Sequence, residues 1–178
     1  GEVTITNLGR GTRQGDARLA SVLEKMGARV TWGATDVTVA GPPGGRLRGG
    51  FAFDLNDMPD QAQTLAVVAL FADAPVRIHN VGNLRIKETD RLTAMAVELG
   101  KLGALVEEGD DELTVHPLAT APERPVVLET YGDHRMAMAL AVAGARIPNV
   151  VIQDPACVAK TYPGFFTDFL GLLGGRLS

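Results

Sequence analysis

Leu23-Glu-Lys-Met-Gly-Ala-Arg-Val30 returns 76 residues later as Leu99-Gly-Lys-Leu-Gly-Ala-Leu-Val106. The echo runs on, with Asp36-Val-Thr-Val39 aligned to Glu112-Leu-Thr-Val115 at the same offset. Each copy reads as the end of a helix, a glycine stop and two short alternating strands, so a helix-strand-strand module recurs. A weaker third echo opens at Leu173-Gly-Gly-Arg-Leu177.

Outward from the second copy, the pattern predicts a strand over 48–54, a helix over 59–72 and a strand over 76–80. A helix over 88–102 and strands over 105–108 and 112–116 follow. Pro59 suits the first helix's opening turn and Gly103 the second's stop. The order is βαβαββ. Before it stands only the later half of such a unit: a strand over 3–6, a helix over 16–26 and two strands. After it come a strand over 126–129, a helix over 133–145, a strand over 150–153 and a helix over 164–173. The expected divisions are 1–42, 46–117 and 124–178, the last lacking its final strands. Segments 62–71 and 136–143 are apolar nearly all round, which buries these helices among sheets and places Met136 and Met138 in the core. The fold class is therefore α/β (or α+β), with repeated βαβαββ units and mixed sheets around buried helices.

At 178 residues and 46% apolar content, one domain is expected. Seventeen Lys plus Arg against 21 Asp plus Glu leave a net charge of −4, which argues against a general nucleic-acid or membrane surface. Any anionic ligand must be drawn by local charge. A single cysteine, Cys157, excludes an internal disulfide framework and reads as a buried filler; His79, His116 and His134 have no metal-site spacing. No signal peptide is evident and the longest apolar run, 65–72, is too short for a bilayer, so a cytoplasmic compartment is expected. The opening Gly1-Glu2-Val3-Thr4-Ile5 is an alternating strand with no element before it, as expected for a piece of something longer. The glycine- and proline-rich link at 41–50 lacks the Gly-Lys-Ser/Thr ending of a phosphate loop.

Chemistry concentrates at helix entries. Asn83-Leu-Arg-Ile-Lys-Glu-Thr-Asp-Arg91 packs three cations and two anions into nine residues. A helix beginning near Glu88 would align Lys87, Glu88 and Arg91 along one face, at an end that offers unpaired amides and positive potential. A phosphate or carboxylate could be held there, with Glu88 placed to give or take a proton. An ordinary solvated first turn has the same composition. Asp60, after Pro59, either answers the helix dipole or accepts a hydroxyl hydrogen bond. In Tyr131-Gly-Asp-His-Arg135, Asp133 can cap a helix while Arg135 stands where the dipole already disfavours it, which suggests an anion at that site. Against this, His134 could be a structural imidazole and Lys160 a loop cation. Because the motifs occupy corresponding helix entries, folding is expected to gather Asp60, the 87–91 group, His134, Arg135 and Lys160 at one end of the domain.

Four motifs, Asn56-Asp-Met-Pro-Asp60, Asn83-Leu-Arg-Ile-Lys-Glu-Thr-Asp-Arg-Leu92, Tyr131-Gly-Asp-His-Arg-Met-Ala-Met138 and Asp154-Pro-Ala-Cys-Val-Ala-Lys-Thr-Tyr-Pro163, give the chain a close resemblance to the 5-enolpyruvylshikimate-3-phosphate (EPSP) synthase family. The resemblance covers the C-terminal two-fifths or so of such a protein. It implies most of one domain of a two-domain inverted α/β barrel. It also implies transfer of the enolpyruvyl group of phosphoenolpyruvate to the 5-hydroxyl of shikimate 3-phosphate, with no metal or organic cofactor and glyphosate as inhibitor. By similarity Asp60 would hold and deprotonate the attacking hydroxyl, and Glu88 would protonate the methylene carbon and later take a proton back. Asn83 and Lys87 would contact shikimate 3-phosphate. Arg91, Arg135 and Lys160 would bind phosphoenolpyruvate, with Lys160 aiding phosphate departure and His134 in support. The family's N-terminal domain, in cis or as a second chain, would complete the cleft. UDP-N-acetylglucosamine enolpyruvyl transferase resembles the same architecture and is the enzymatic alternative. A non-catalytic repeat or interaction domain is the alternative of another class.

Overall fold

The structure, a computed structural model, describes residues 1–174. The weak third echo at Leu173-Gly-Gly-Arg-Leu177 runs beyond them. Strand β1 (Glu2–Thr6) leads through a 3₁₀ turn at Gly15–Arg18 into α1 (Leu19–Lys25), then β2 (Arg29–Trp32) and β3 (Asp36–Ala40). Next come β4 (Ala52–Asp54), α2 (Ala62–Ala69), β5 (Val76–His79), α3 (Arg91–Lys101), β6 (Val106–Glu108) and β7 (Leu113–Val115). The chain continues as β8 (Val126–Leu128), α4 (His134–Gly144), β9 (Val150–Ile152) and α5 (Phe165–Leu172).

The repeated module folds alike in both places. Gly27 (φ 102°) and Gly103 (φ 91°) sit just past α1 and α3 in left-handed conformations that side chains resist. Beyond them the amides of Ala28 and Ala104 donate back to the Leu23 and Leu99 carbonyls at 3.0 and 3.2 Å. Each hairpin then closes identically, the Gly33 amide on the Asp36 carbonyl and the Gly109 amide on that of Glu112, both at 2.9 Å. The sheets agree as well, since β1-β3-β2 and the β5-β7-β6 part of the four-stranded sheet share one antiparallel order. Strand β4 adds in parallel to β5, and β9 to β8, each pair joined through a crossover helix, α2 or α4.

Helices α2 and α4 pack against each other, α2 also against β5 and β7, and α4 against β9. Their small-residue composition explains the close approach: Ala62, Ala66, Ala69, Ala137, Ala139 and Ala143 are buried. Met136 is fully buried with them, whereas Met138 is half-buried. Among the described residues no helix is long and apolar enough to cross a membrane.

Several boundaries differ from the sequence pattern. The helix expected over 88–102 starts at Arg91, because Asp90 adopts an extended backbone and its side chain accepts the Thr93 amide at 3.1 Å as the cap. A 3₁₀ turn at Gly82–Ile86 precedes it, leaving Lys87 extended and Glu88 outside the helix. The helix expected over 59–72 is a 3₁₀ turn, Pro59–Gln61, followed by α2. The strand expected over 48–54 shortens to β4, since Gly49 and Gly50 instead donate to Asp73 Oδ1 and the Pro75 carbonyl. Cys157 is half-buried within a 3₁₀ helix at Pro155–Lys160.

Leu65, in the middle of α2, has no exposed surface. Leu65→Ala should destabilise the chain by about 2–5 kcal/mol, because a neighbouring helix cannot collapse fully into the void. Urea unfolding at constant m-value would measure it.

Candidate active site

Three helix entries meet at one end of the fold. The 3₁₀ turn that carries Asp60 packs against the one preceding α3. The first residue of α3, Arg91, is 1% exposed, and Asp133, the cap of α4, is 0%. A guanidinium cannot shed its proton to escape such burial, so it must be surrounded by acceptors. Arg91 Nε donates to Asp133 Oδ2 at 2.7 Å and Nη2 to Oδ1 at 3.3 Å, a two-pronged pair. Nη2 also donates to Glu88 Oε2 at 2.8 Å, and Nη1 to Asp60 Oδ1 at 2.9 Å. Four of the five N–H groups are thereby used.

The two carboxylates on the outer side of Arg91 each hold a second cation. Asp60 Oδ2 lies 2.9 Å from Arg135 Nη2, and Glu88 Oε1 accepts from Lys160 Nζ at 2.6 Å. Asp60, Glu88, Arg91, Arg135 and Lys160, drawn from four separate segments, thus form one unbroken ion-pair network. The partial charge that an arginine at a helix start would oppose is answered by the protein's own acids. Asp133 does two jobs, since its Oδ1 also accepts the Arg135 backbone amide at 2.8 Å to cap α4.

The network fixes the charge of Glu88. The Lys160 ammonium, with help from Glu88's own backbone amide and Arg91, draws the Glu88 carboxyl down to about 2. His134 is 5% exposed, and its Nδ1 has no hydrogen-bond partner, standing 3.9 Å from Asp133 Oδ1. Burial lowers its imidazole below the ordinary value, although Asp133 pulls the other way.

Not every motif residue joins. Lys87 and Asn83 are exposed on the approach to α3, and Lys87 forms no salt bridge among the described residues. The side-by-side arrangement of Lys87 and Arg91 expected from helical spacing is not formed, because Lys87 precedes the cap. Arg85 turns the other way: it pairs with Asp90 and Glu108 at 2.8 and 2.9 Å and donates to the carbonyls of Gly109 and Asp110. It anchors the 3₁₀ turn to the β6–β7 hairpin. Sequence reasoning gave Asp133 only a capping role and missed its pairing with Arg91. The available signal was a buried arginine's need for a fully buried carboxylate.

A shallow cavity of about 330 Å³ opens beside Asp60, lined also by Gln14, Asp57 and Pro59. The outward faces of Asp60 and Glu88, 30% and 29% exposed, and of Lys160, 57%, give a ligand access to the network. The arrangement combines two carboxylates able to exchange protons with cations able to take anionic groups from them.

The chain has relatives among known proteins. Residues 1–169 match the family model described as EPSP synthase (3-phosphoshikimate 1-carboxyvinyltransferase). The 3-phosphoshikimate 1-carboxyvinyltransferase of Pasteurella multocida is 49% identical over 172 residues, which is 97% of this chain and 38% of that protein. Its counterpart from Idiomarina loihiensis is 48% identical over 169 residues, 95% of this chain and again 38% of the relative. The chain therefore spans about two-fifths of the length of the curated relatives it matches. Among solved structures, EPSP synthase from Acinetobacter baumannii superposes with a TM-score of 0.79 at 23% identity, covering 97% of this chain and 41% of that one. The enolpyruvyl transferase NikO from Streptomyces tendae gives 0.68 at 23% identity over 97% of this chain and 38% of its own. These likenesses show a shared mixed α/β fold. With its helix-entry motifs, its topology and its matched residues in accord, the chain belongs to the EPSP synthase family.

Proposed function

We propose that this chain forms one wall of an active site that transfers the enolpyruvyl group of phosphoenolpyruvate to the 5-hydroxyl of shikimate 3-phosphate, releasing phosphate. The observation that carries this reading is the continuous network in which two accessible carboxylates and three cations share partners. The remaining length of a family member, in cis or as a second chain, would supply the facing wall.

Each residue then has a task. Asp60 accepts the proton of the attacking hydroxyl as its oxygen bonds to the enol carbon, and Glu88 delivers a proton to the terminal methylene, which becomes a methyl. In the second step the carbon–oxygen bond to phosphate breaks, the phosphate leaves with the proton that Asp60 had accepted, and Glu88 takes a methyl proton back, restoring the double bond. Arg135 and Lys160 meet the donor's carboxylate and phosphate, with Arg91 behind them. Asn83 and Lys87, exposed on the approach to α3, would meet the acceptor, with His134 in a supporting role. Holding two anions together against their repulsion is the part of the barrier that fixed cations lower.

The ion pairs set a condition on this sequence. A carboxyl held at about 2 by Lys160 is ionised near neutral pH and has no proton to donate. Lys160 is long and largely exposed, so an arriving phosphate can draw its ammonium off Glu88. Freed of that partner, the Glu88 carboxyl rises from about 2 and can take up from solvent the proton it delivers. Donor binding and activation of the acid are one event in this scheme.

Two measurements test the reading. The 178-residue chain should release no phosphate from phosphoenolpyruvate alone, and should release it in a shikimate 3-phosphate-dependent manner once joined to the N-terminal part of a family member. Asp60→Asn and Glu88→Gln should each lower kcat/KM by about 10²–10⁴-fold. Turnover dependent on UDP-N-acetylglucosamine instead, or no turnover in the joined protein, would defeat it. The second measurement is of stability against pH. Glu88's carboxyl lies lower in the folded chain, at about 2, than its ordinary 4.5. Its contribution is therefore complete above 4.5 and lost as pH falls toward 2. Denaturant unfolding should show that loss, and Glu88→Gln or Lys160→Met should flatten it.

A further inference from the structure

Helix α3 grips the segment entering α4 at two levels. At its first residue Arg91 holds Asp133. Glu98 stands seven positions further on, two turns along the same face, fully buried and unused by the chemistry above. Its Oε2 accepts the Glu129 backbone amide at 2.9 Å, and its Oε1 accepts the Tyr131 hydroxyl at 2.7 Å. Lys101 donates to both oxygens at 2.9 and 2.7 Å and answers the charge from the rim.

What is gripped is an unusual turn. Tyr131 (φ 56°) and Gly132 (φ 66°) are consecutive left-handed residues, a conformation that a tyrosine rarely holds. The reversal carries the chain from β8 into Asp133, so that His134 and Arg135 emerge toward Glu88, Lys160 and Asp60. Tyr131 is itself 40% exposed, so packing alone does not hold it there. Its phenol, pushed up to about 12 by burial and by Glu98, remains a donor at neutral pH.

We infer that Glu98 and Tyr131 act as a clasp that sets the geometry of the 131–135 turn and thereby places His134 and Arg135 for the transfer reaction. Both are positioning residues that touch no substrate. The effect on turnover rests on the function proposed above; the effect on the turn does not.

The test uses Tyr131→Phe, which removes one oxygen from a partly exposed ring, and Glu98→Gln, which keeps one acceptor. In the 178-residue chain, the His134 imidazole is titrated by ¹H–¹³C NMR alongside thermal unfolding. The charged groups around it, Asp133, Arg135, Glu88 and Lys160, are the same in both variants. His134 should titrate closer to its ordinary value, more so in Tyr131→Phe. In the chain joined to the N-terminal part, kcat should fall roughly ten- to a hundredfold, the penalty of a small misplacement, with the acceptor KM little changed. Lower unfolding midpoints with wild-type His134 titration and wild-type kcat in both variants would overturn the inference and leave Glu98 a stability residue only. A shifted His134 in variants of a protein that never turns over would uphold the clasp and reject the function.

Discussion

A buried arginine is the constraint from which the rest of this molecule follows. Arg91 at 1% exposure is tolerable only while carboxylates surround it, since removing one partner of a buried pair costs about 3–5 kcal/mol. Asp133 meets that need from within the core, which ties the start of α3 to the start of α4. Asp60 and Glu88 meet it from the solvent side, which ties in the turn before α2. Three helix entries that are far apart in sequence are thus registered against one guanidinium. A four-carbon ammonium could not do the same, because it lacks the planar fork that reaches Asp133 with two donors while meeting two other acids.

The fold was legible in the sequence because its signals are local and repeated. A glycine one step past a helix and a hairpin after it fix the same backbone path wherever they occur, so the 76-residue echo translated directly into matching β1-β3-β2 and β5-β7-β6 orders. Helix starts were less legible. Glu88 has the composition of a first turn, but Asp90 wins the capping position because its shorter side chain reaches the Thr93 amide. The same displacement separates Lys87 from Arg91, and no spacing rule could restore the contact once the boundary moved.

The cluster was legible as a place but not as a circuit. Asp60, Glu88, Arg135 and Lys160 could be assigned to one end from motif position alone. Which acid holds which cation depends on three-dimensional distances, and Asp133 was invisible as an ion-pair partner because capping already explained it. Arg85 shows the converse. In sequence it belongs to the same charged motif as Arg91, and in the fold it faces the β6–β7 hairpin, satisfied by Asp90, Glu108 and two carbonyls.

Burial also decides what charge the site presents. Counted together, Arg91, Arg135 and Lys160 are balanced by Asp60, Glu88 and Asp133. Arg91 and Asp133, however, cancel each other out of reach of solvent, with side chains 2% and 0% exposed. Of the network, Arg135 and Lys160 stay accessible, each paired with an accessible acid, Asp60 or Glu88. Each of those pairs is a single-pronged contact, whereas Arg91 meets Asp133 with two donors. The ion pairs hold both carboxylates in place, and that of Lys160 keeps Glu88 ionised.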